Sequence, residues 1–94
     1  MQIRFAAVYW DWIDSIEDVV TRARIQFRID RLLHGNPGRH RRLLGGISEL
    51  KIDFGPGYRV YYVERQGDLV VLCGGDKSSQ RRDIQRAMAL AKRL

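Results

Sequence analysis

The chain has 94 residues, with 17 basic and 11 acidic side chains, a formal net charge of +6 at neutral pH and one cysteine. This length predicts a single domain over residues 1–94, and the lone Cys73 excludes a disulfide framework and fits a reducing cytoplasm. No apolar run reaches the roughly 20 residues of a membrane span, and the excess of positive charge favours an anionic partner over a protein that is basic by chance.

The first half of the chain predicts a short strand and two helices. Residues 2–6 have the composition of a short strand. Apolar residues at every third or fourth position then predict two helices, the second from about Asp18 to Leu33. Their apolar faces consist of Tyr9, Trp12, Ile13 and Ile16 in the first helix and Ile25, Ile29, Leu32 and Leu33 in the second. The glycines and proline of "HGNPGRHRRLLGG", residues 34–46, predict a flexible basic loop.

Period-2 alternation replaces the helical pattern after Gly46. It predicts strands in "ISELKIDF" and "YRVYYVER", which the "GPG" turn at residues 55–57 separates. The run "LVVLC", residues 69–73, is apolar on both faces and predicts an interior strand. A final helix with an apolar stripe follows, capped by Ser78 or Ser79. The order β-α-α-β-β-β-α predicts an α+β fold, with a mainly antiparallel sheet, two N-terminal helices and a C-terminal helix.

The segment "LCGGDKSSQ" raises the possibility of a phosphate site. The spacing of a P-loop fails, because Gly74 and Gly75 are adjacent and no glycine immediately precedes Lys77. A glycine pair followed by a capped helix is, however, more often a tight turn. The N-terminus of the following helix and the charge of Lys77 would nevertheless favour an anion.

Strand alternation predicts that Lys51, Arg59 and Tyr61 share one face of the sheet. With Lys77 at the end of the next strand, three cations and a ring would converge, and Tyr61 could stack on a base while the cations hold a phosphodiester. The same spacing fits a solvated sheet face in which Lys51 pairs with Glu49 or Asp53. His34 and His40 have no cysteine or carboxylate at metal-binding spacing, so we predict neither a metal site nor a cofactor.

The segments "GPGYRVYY" and "LCGGDKSSQRRDI" resemble the RelE/ParE superfamily of toxins from bacterial type II toxin–antitoxin modules. The likeness is greatest to the HigB-like addiction-module killer proteins, and "GNPG", "YWDWIDSI" and "RARIQFRIDRLL" extend it over nearly the whole chain. The resemblance implies a RelE-like fold and one of two activities. RelE-like and HigB-like members cleave mRNA on ribosomes without a metal, through attack of the ribose 2′-OH on the adjacent phosphate. ParE-like members inhibit DNA gyrase and are not nucleases.

The resemblance also implies roles for individual residues. Arg59 matches the arginine that steadies the phosphate, Lys51 matches a strand lysine, and Lys77 falls where a basic residue assists the leaving group. Asp53 replaces a second basic residue, and the C-terminal tyrosine or histidine of some ribonucleases is missing. Lys51, Asp53 and Asp83 are therefore the candidates for taking up the 2′-OH proton.

The expected function is that of a cytoplasmic toxin that cleaves mRNA on translating ribosomes. Its expected catalytic residues are Lys51, Arg59, Lys77 and Asp83, and its expected RNA-binding residues are Arg39, Arg41, Arg42, Tyr61 and Arg81. A helix-turn-helix antitoxin is the expected partner, with operator DNA bound only through the antitoxin and no membrane contact. A gyrase inhibitor and a non-catalytic nucleic-acid-binding module are the alternatives.

Overall fold

A five-stranded sheet with helices on both faces forms the framework of the protein. The computed structural model describes all residues, 1–94. In chain order the elements are β1 (Ile3–Phe5), α1 (Ala7–Asp14), α2 (Val19–Leu33), β2 (His40–Arg42), β3 (Ser48–Ile52), β4 (Tyr58–Arg65), β5 (Asp68–Gly75) and α3 (Gln80–Lys92). None of the three helices has the length and apolar composition that crossing a bilayer requires.

The strand order in the sheet is β1-β5-β4-β3-β2. Strand β1 pairs in parallel with β5, and the other three pairings are antiparallel. The predicted α+β class, the mainly antiparallel sheet and the interior position of the strand containing "LVVLC" are confirmed. The predicted order of elements is wrong by one strand, because β2 was expected to be loop.

The two faces of the sheet bury separate apolar clusters. Leu50, Val60 and Tyr62 lie in the cluster that includes the apolar sides of α1 and α2. Val63 and Leu72 lie in the cluster beneath α3, together with its Ala87. Each fully buried aliphatic side chain contributes roughly 1.5–3 kcal/mol to folding, so helices on both sides fix the sheet rigidly.

The helix boundaries follow local chemistry. Helix α2 begins after Asp18, whose carboxylate accepts hydrogen bonds from the Val20 N–H and the Thr21 hydroxyl. The hydrogen bond from Thr21 is the main reason why the pKa of Asp18 lies below its usual value. Helix α1 ends at Asp14, so Ile16, which was predicted to be the last residue of its apolar face, lies outside the helix. Ile16 still packs against the core from the segment that connects α1 to α2.

The basic segment 34–46 is more ordered than the sequence predicts. It contains strand β2 and a single 3-10 turn at Leu44–Gly46. Arg28 of α2 fixes the start of the segment, since its guanidinium donates to the carbonyls of Pro37 and Lys51, both at 2.8 Å. Gly38 packs directly on this guanidinium with a φ of 69°, where any larger residue would be strained.

Gly74 and Gly75 are the last residues of β5, so their prediction as a tight turn is wrong. Their missing side chains make room for helices on opposite faces of the sheet: a Cβ at Gly74 would overlap the Trp12 ring, and one at Gly75 would overlap the Asp83 carboxylate. Ser79 occupies the N-cap position of α3, as predicted, but its side chain makes no capping hydrogen bond. Asp76 caps a short 3-10 helix, Lys77–Ser79, by accepting from the Ser78 N–H at 2.8 Å, and α3 continues from it.

Candidate functional site

A polar pocket opens between β2, β3, β4 and the start of α3. Its volume is about 510 Å³, and no hydrophobic residue lines it. The lining residues are Gly38, Arg39, His40, Arg41, Glu49, Lys51, Arg59 and Gln80. Four cationic side chains against a single carboxylate make this pocket suited to an anion.

Glu49 lies at the base of the pocket and is only 2% exposed. Its carboxylate accepts hydrogen bonds from Arg41 Nε at 2.8 Å, Tyr61 Oη at 3.0 Å and Gln80 Nε2 at 2.9 Å. Burial alone would raise the pKa of Glu49, but the hydrogen bonds from Gln80, Arg41 and Tyr61 outweigh it and hold the pKa below its usual value. Glu49 is therefore a negative charge fixed in a basic pocket.

Arg59 is a buried cation, and not all of its N–H groups have hydrogen-bond partners. It is 4% exposed, and its Nη1 donates to the Gly57 carbonyl at 2.6 Å. Its Nε lies 3.9 Å from Glu49 Oε2 and has no hydrogen-bond partner. Buried donors are almost always paired, so this guanidinium is the strongest indication that the pocket takes an anionic ligand.

Lys51 lies directly opposite Arg59 in the β3–β4 register, which confirms that the two residues share a face. Its side chain is half-buried and lines the pocket without forming an ion pair. The alternative in which Lys51 pairs with Glu49 or Asp53 is wrong, because those carboxylates pair with Arg41 and Arg39 at 2.8 and 2.7 Å. Lys51 is thus free to contact a ligand.

Tyr61 shares the face of Arg59, as predicted, but it cannot stack on a base. Its ring is completely buried, and its hydroxyl donates to Glu49. Burial, followed by the charge of Glu49, raises the pKa of Tyr61 far above its usual value, so the hydroxyl remains a donor. The sequence correctly placed Tyr61 but did not predict that α3 covers this part of the sheet.

Lys77 and Asp83, two other predicted catalytic residues, lie outside the pocket lining. Lys77 is exposed beside the "GPG" turn, where it and the Arg59 guanidinium flank Gly57. Asp83 is buried between α3 and β5, next to Gly75, and accepts a hydrogen bond from the Ser79 hydroxyl. The structure brings together Lys51 and Arg59, with Lys77 at the edge, whereas Asp83 does not line the pocket.

The predicted RNA-binding arginines differ in their environments. Arg39 and Arg41 line the pocket but are held in ion pairs, so the expectation of a loop with freely moving arginines is wrong for both. Arg42, on β2, and Arg81, on α3, are exposed and form no ion pair. Both histidines also make local contacts. The Nδ1 atom of His34 lies 2.7 Å from the Asp30 carbonyl, and that of His40 lies 2.8 Å from the Gly38 carbonyl.

Sequence reasoning missed Glu49 and Gln80 as residues of the site. Glu49 precedes Lys51 by two positions and therefore shares its face of the strand, a signal that could have placed it beside Arg59. Gln80 is the first residue of α3, and nothing in the local pattern connects it to β3, which is 31 residues earlier. Such a contact depends on how α3 packs across the sheet.

A protein of Haemophilus influenzae, described as an uncharacterized protein, is 43% identical to the chain over 95 residues, covering 100% of the chain and 96% of that protein. The chain belongs to the family of this protein. The relationship includes every residue of the pocket, since the whole chain lies in the aligned region. No family model matches the chain.

Proposed function

We propose that the protein is a RelE-like toxin of a type II toxin–antitoxin module, which acts in the cytoplasm as a metal-independent endoribonuclease on translating ribosomes. The observation that carries the proposal is the buried Arg59, whose Nε has no hydrogen-bond partner, in a pocket with three further cations. Such an arrangement suits a phosphodiester, whose oxygens accept hydrogen bonds from guanidinium and ammonium groups. The resemblance of "GPGYRVYY" to the ribonuclease branch agrees with this assignment.

The phosphodiester would lie between Lys51 and Arg59, which face each other across β3 and β4. The ribose 2′-oxygen attacks phosphorus, and the bond from phosphorus to the 5′-oxygen breaks. The products are a 2′,3′-cyclic phosphate and a 5′-OH. Arg59 offsets the charge that develops on the phosphate in the transition state, a contribution of the kind that often accounts for about a hundredfold in rate.

Two protons move in this reaction, and the pocket offers a group for each. Glu49 is the only carboxylate that lines the pocket, because Asp53 pairs with Arg39 away from the lining and Asp83 is buried between α3 and β5. Glu49 would take the proton of the 2′-OH once Arg41, whose side chain is 58% exposed, turns from Glu49 to the phosphate. The Lys51 ammonium would give a proton to the departing 5′-oxygen.

Lys51→Met is the sharpest test, since Lys51 lines the pocket without an ion pair. We expect the wild type to cleave mRNA on ribosomes in the presence of EDTA, and Lys51→Met to lower the single-turnover rate about a hundredfold. Thermal unfolding should be unchanged. Lys92→Met, at the far end of α3, is the matched control and should cleave at the wild-type rate with saturating ribosomes.

Two other results would contradict the nuclease proposal. One is a Lys51→Met variant that cleaves as fast as Lys92→Met. The other is a wild type that leaves ribosomal mRNA intact but inhibits DNA supercoiling by gyrase, which would support the ParE-like alternative. Binding to RNA with neither activity would support the non-catalytic nucleic-acid-binding module.

We also propose that a helix-turn-helix antitoxin neutralises the protein and alone contacts operator DNA. An apolar groove between α2 and the end of β3 supports a protein partner of this kind. The groove has a volume of about 710 Å³, and three of its hydrophobic residues are more than half exposed: Val19, Val20 and Phe27. Arg24 and Arg28 lie on its rim, so an amphipathic segment with acidic flanks would complement it.

A further inference from the structure

The outer surface of α3 carries a concentration of positive charge that the pocket does not explain. All the basic residues of the helix and of the position after it are exposed: Arg81, Arg82, Arg86, Lys92 and Arg93. The only acidic residue of the helix, Asp83, is buried against β5. None of the three ion pairs of the protein involves α3, so no acidic side chain within the chain neutralises these cations.

The packing of α3 fixes the direction of these side chains. Ala87 and Ala91 are buried against the sheet, so the basic residues lie on the opposite, outward side. Thirteen residues at 1.5 Å each give a helix about 20 Å long. Its first residue, Gln80, lines the pocket. The basic surface therefore begins at the pocket and runs away from it.

We propose that the outer face of α3 binds the phosphate backbone of the RNA strand that enters the pocket, an inference that rests on the proposed function. Guanidinium groups match the geometry of phosphate oxygens, and they predominate here. The outward positions between them, Gln85 and Ala89, offer no ring for stacking on bases. The contact is therefore to the backbone, gives affinity without sequence preference, and is separate from the residues that cut.

Two other anionic partners fit less well. A helix that lies on an anionic membrane inserts its apolar side into the lipid, but the apolar side of α3 is occupied by the sheet. An acidic protein partner would require large apolar anchor residues within the charged surface, and no large hydrophobic residue of α3 itself is exposed.

The test compares two double variants that remove the same charge from opposite sides of the sheet. Arg82→Gln/Arg86→Gln alters α3, and Arg24→Gln/Arg31→Gln alters α2. The probe is a short single-stranded RNA with 2′-O-methyl riboses, which cannot be cleaved, and binding is followed by fluorescence anisotropy at several salt concentrations. Each phosphate contact with a single strand contributes about 0.7 to the slope of log affinity against log salt concentration. Losing two such contacts should therefore lower the slope by about 1.4. The α2 variant should keep the wild-type slope.

Cleavage of ribosomal mRNA at saturating concentration separates this inference from the proposed nuclease. We expect the α3 variant to cut at the wild-type maximal rate. Another outcome is a wild type that binds RNA with a steeper salt dependence than the α3 variant and yet does not cleave mRNA. That result would refute the nuclease proposal and support the α3 site. Equal slopes for the two double variants would overturn the α3 site, whether or not the protein cleaves. A wild type that binds phosphatidylserine vesicles or an acidic peptide but not the RNA would overturn it as well.

Discussion

Glu49 links the charge of the pocket to the stability of the fold. It is buried, and its carboxylate joins β2, β4 and α3 through Arg41, Tyr61 and Gln80. Glu49 also forms a buried ion pair with Arg59 at 3.9 Å, and removing one partner of such a pair costs several kcal/mol, because the remaining charge has no compensation. Glu49→Gln should therefore lower the free energy of unfolding at pH 7 by about 3 kcal/mol. Urea denaturation measures this quantity, and Asp53→Asn, which breaks an exposed ion pair, is the matched control and should change it little.

The same residue predicts a pH dependence with a definite sign. The pKa of Glu49 is lower in the folded protein than in the unfolded chain. Its stabilisation is therefore complete above the unfolded pKa, near 4.5, and is lost as the pH falls through the folded pKa. The stability difference between wild type and Glu49→Gln should be largest at neutral pH and should shrink on acidification. A difference that stays constant below pH 4.5 would mean that the carboxylate charge does not stabilise the pocket.

At the scale of elements, the end of β5 positions both helical layers. A methyl group at Gly75 would overlap the Asp83 carboxylate and push α3 away from the sheet, and α3 supplies Gln80 to the pocket. Overpacking of this kind costs about 1–3 kcal/mol, so Gly75→Ala should lower the melting temperature and the cleavage rate together. Gly67→Ala is a control for the backbone effect alone. Gly67 has a φ of 80° but open space around it, so that variant should be destabilised without loss of cleavage by the remaining folded protein.

Strand β2 depends on a side chain from α2. Arg28 donates to the carbonyls of Pro37 and Lys51, and hydrogen bonds from a charged donor contribute about 1.5–3 kcal/mol each. Arg28→Ala should free residues 34–46 from the sheet edge, and trypsin should then cut after Arg39, Arg41 or Arg42 faster than in the wild type. Arg31→Ala, one turn later on the same helix, makes no such bond and should leave the rate of proteolysis unchanged. Equal cleavage in both variants would show that strand pairing alone orders β2.

For the whole molecule, the sequence was informative wherever the contacts are local or periodic. Alternation along β3 and β4 correctly placed Lys51 and Arg59 on one face, and Asp18 correctly marked the start of α2. Contacts between distant elements were not predictable. The burial of Tyr61 beneath α3, the junction of Gln80 with Glu49 and the pairing of β2 all depend on tertiary packing. The glycines of "LCGG" illustrate the difference. Their sequence suggests a turn, whereas in the structure their missing side chains leave space for Trp12 and Asp83.

The two functional surfaces that we propose lie on opposite faces of the sheet, and this arrangement makes toxicity and neutralisation separable. The pocket opens on the side of α3, whereas Phe27 projects from the outer side of α2 and is 60% exposed.

Buried aromatic anchors at interfaces typically contribute 2 kcal/mol or more, so Phe27→Asp should weaken binding of the antitoxin by at least about thirtyfold. Cleavage of ribosomal mRNA should be unchanged, because Phe27 contacts neither the pocket nor α3. Cells that produce Phe27→Asp together with the antitoxin should therefore stop growing, whereas those with Phe27→Leu, which keeps an apolar anchor, should be protected. If calorimetry gives equal antitoxin affinities for Phe27→Asp and Phe27→Leu, the partner binds elsewhere on the molecule.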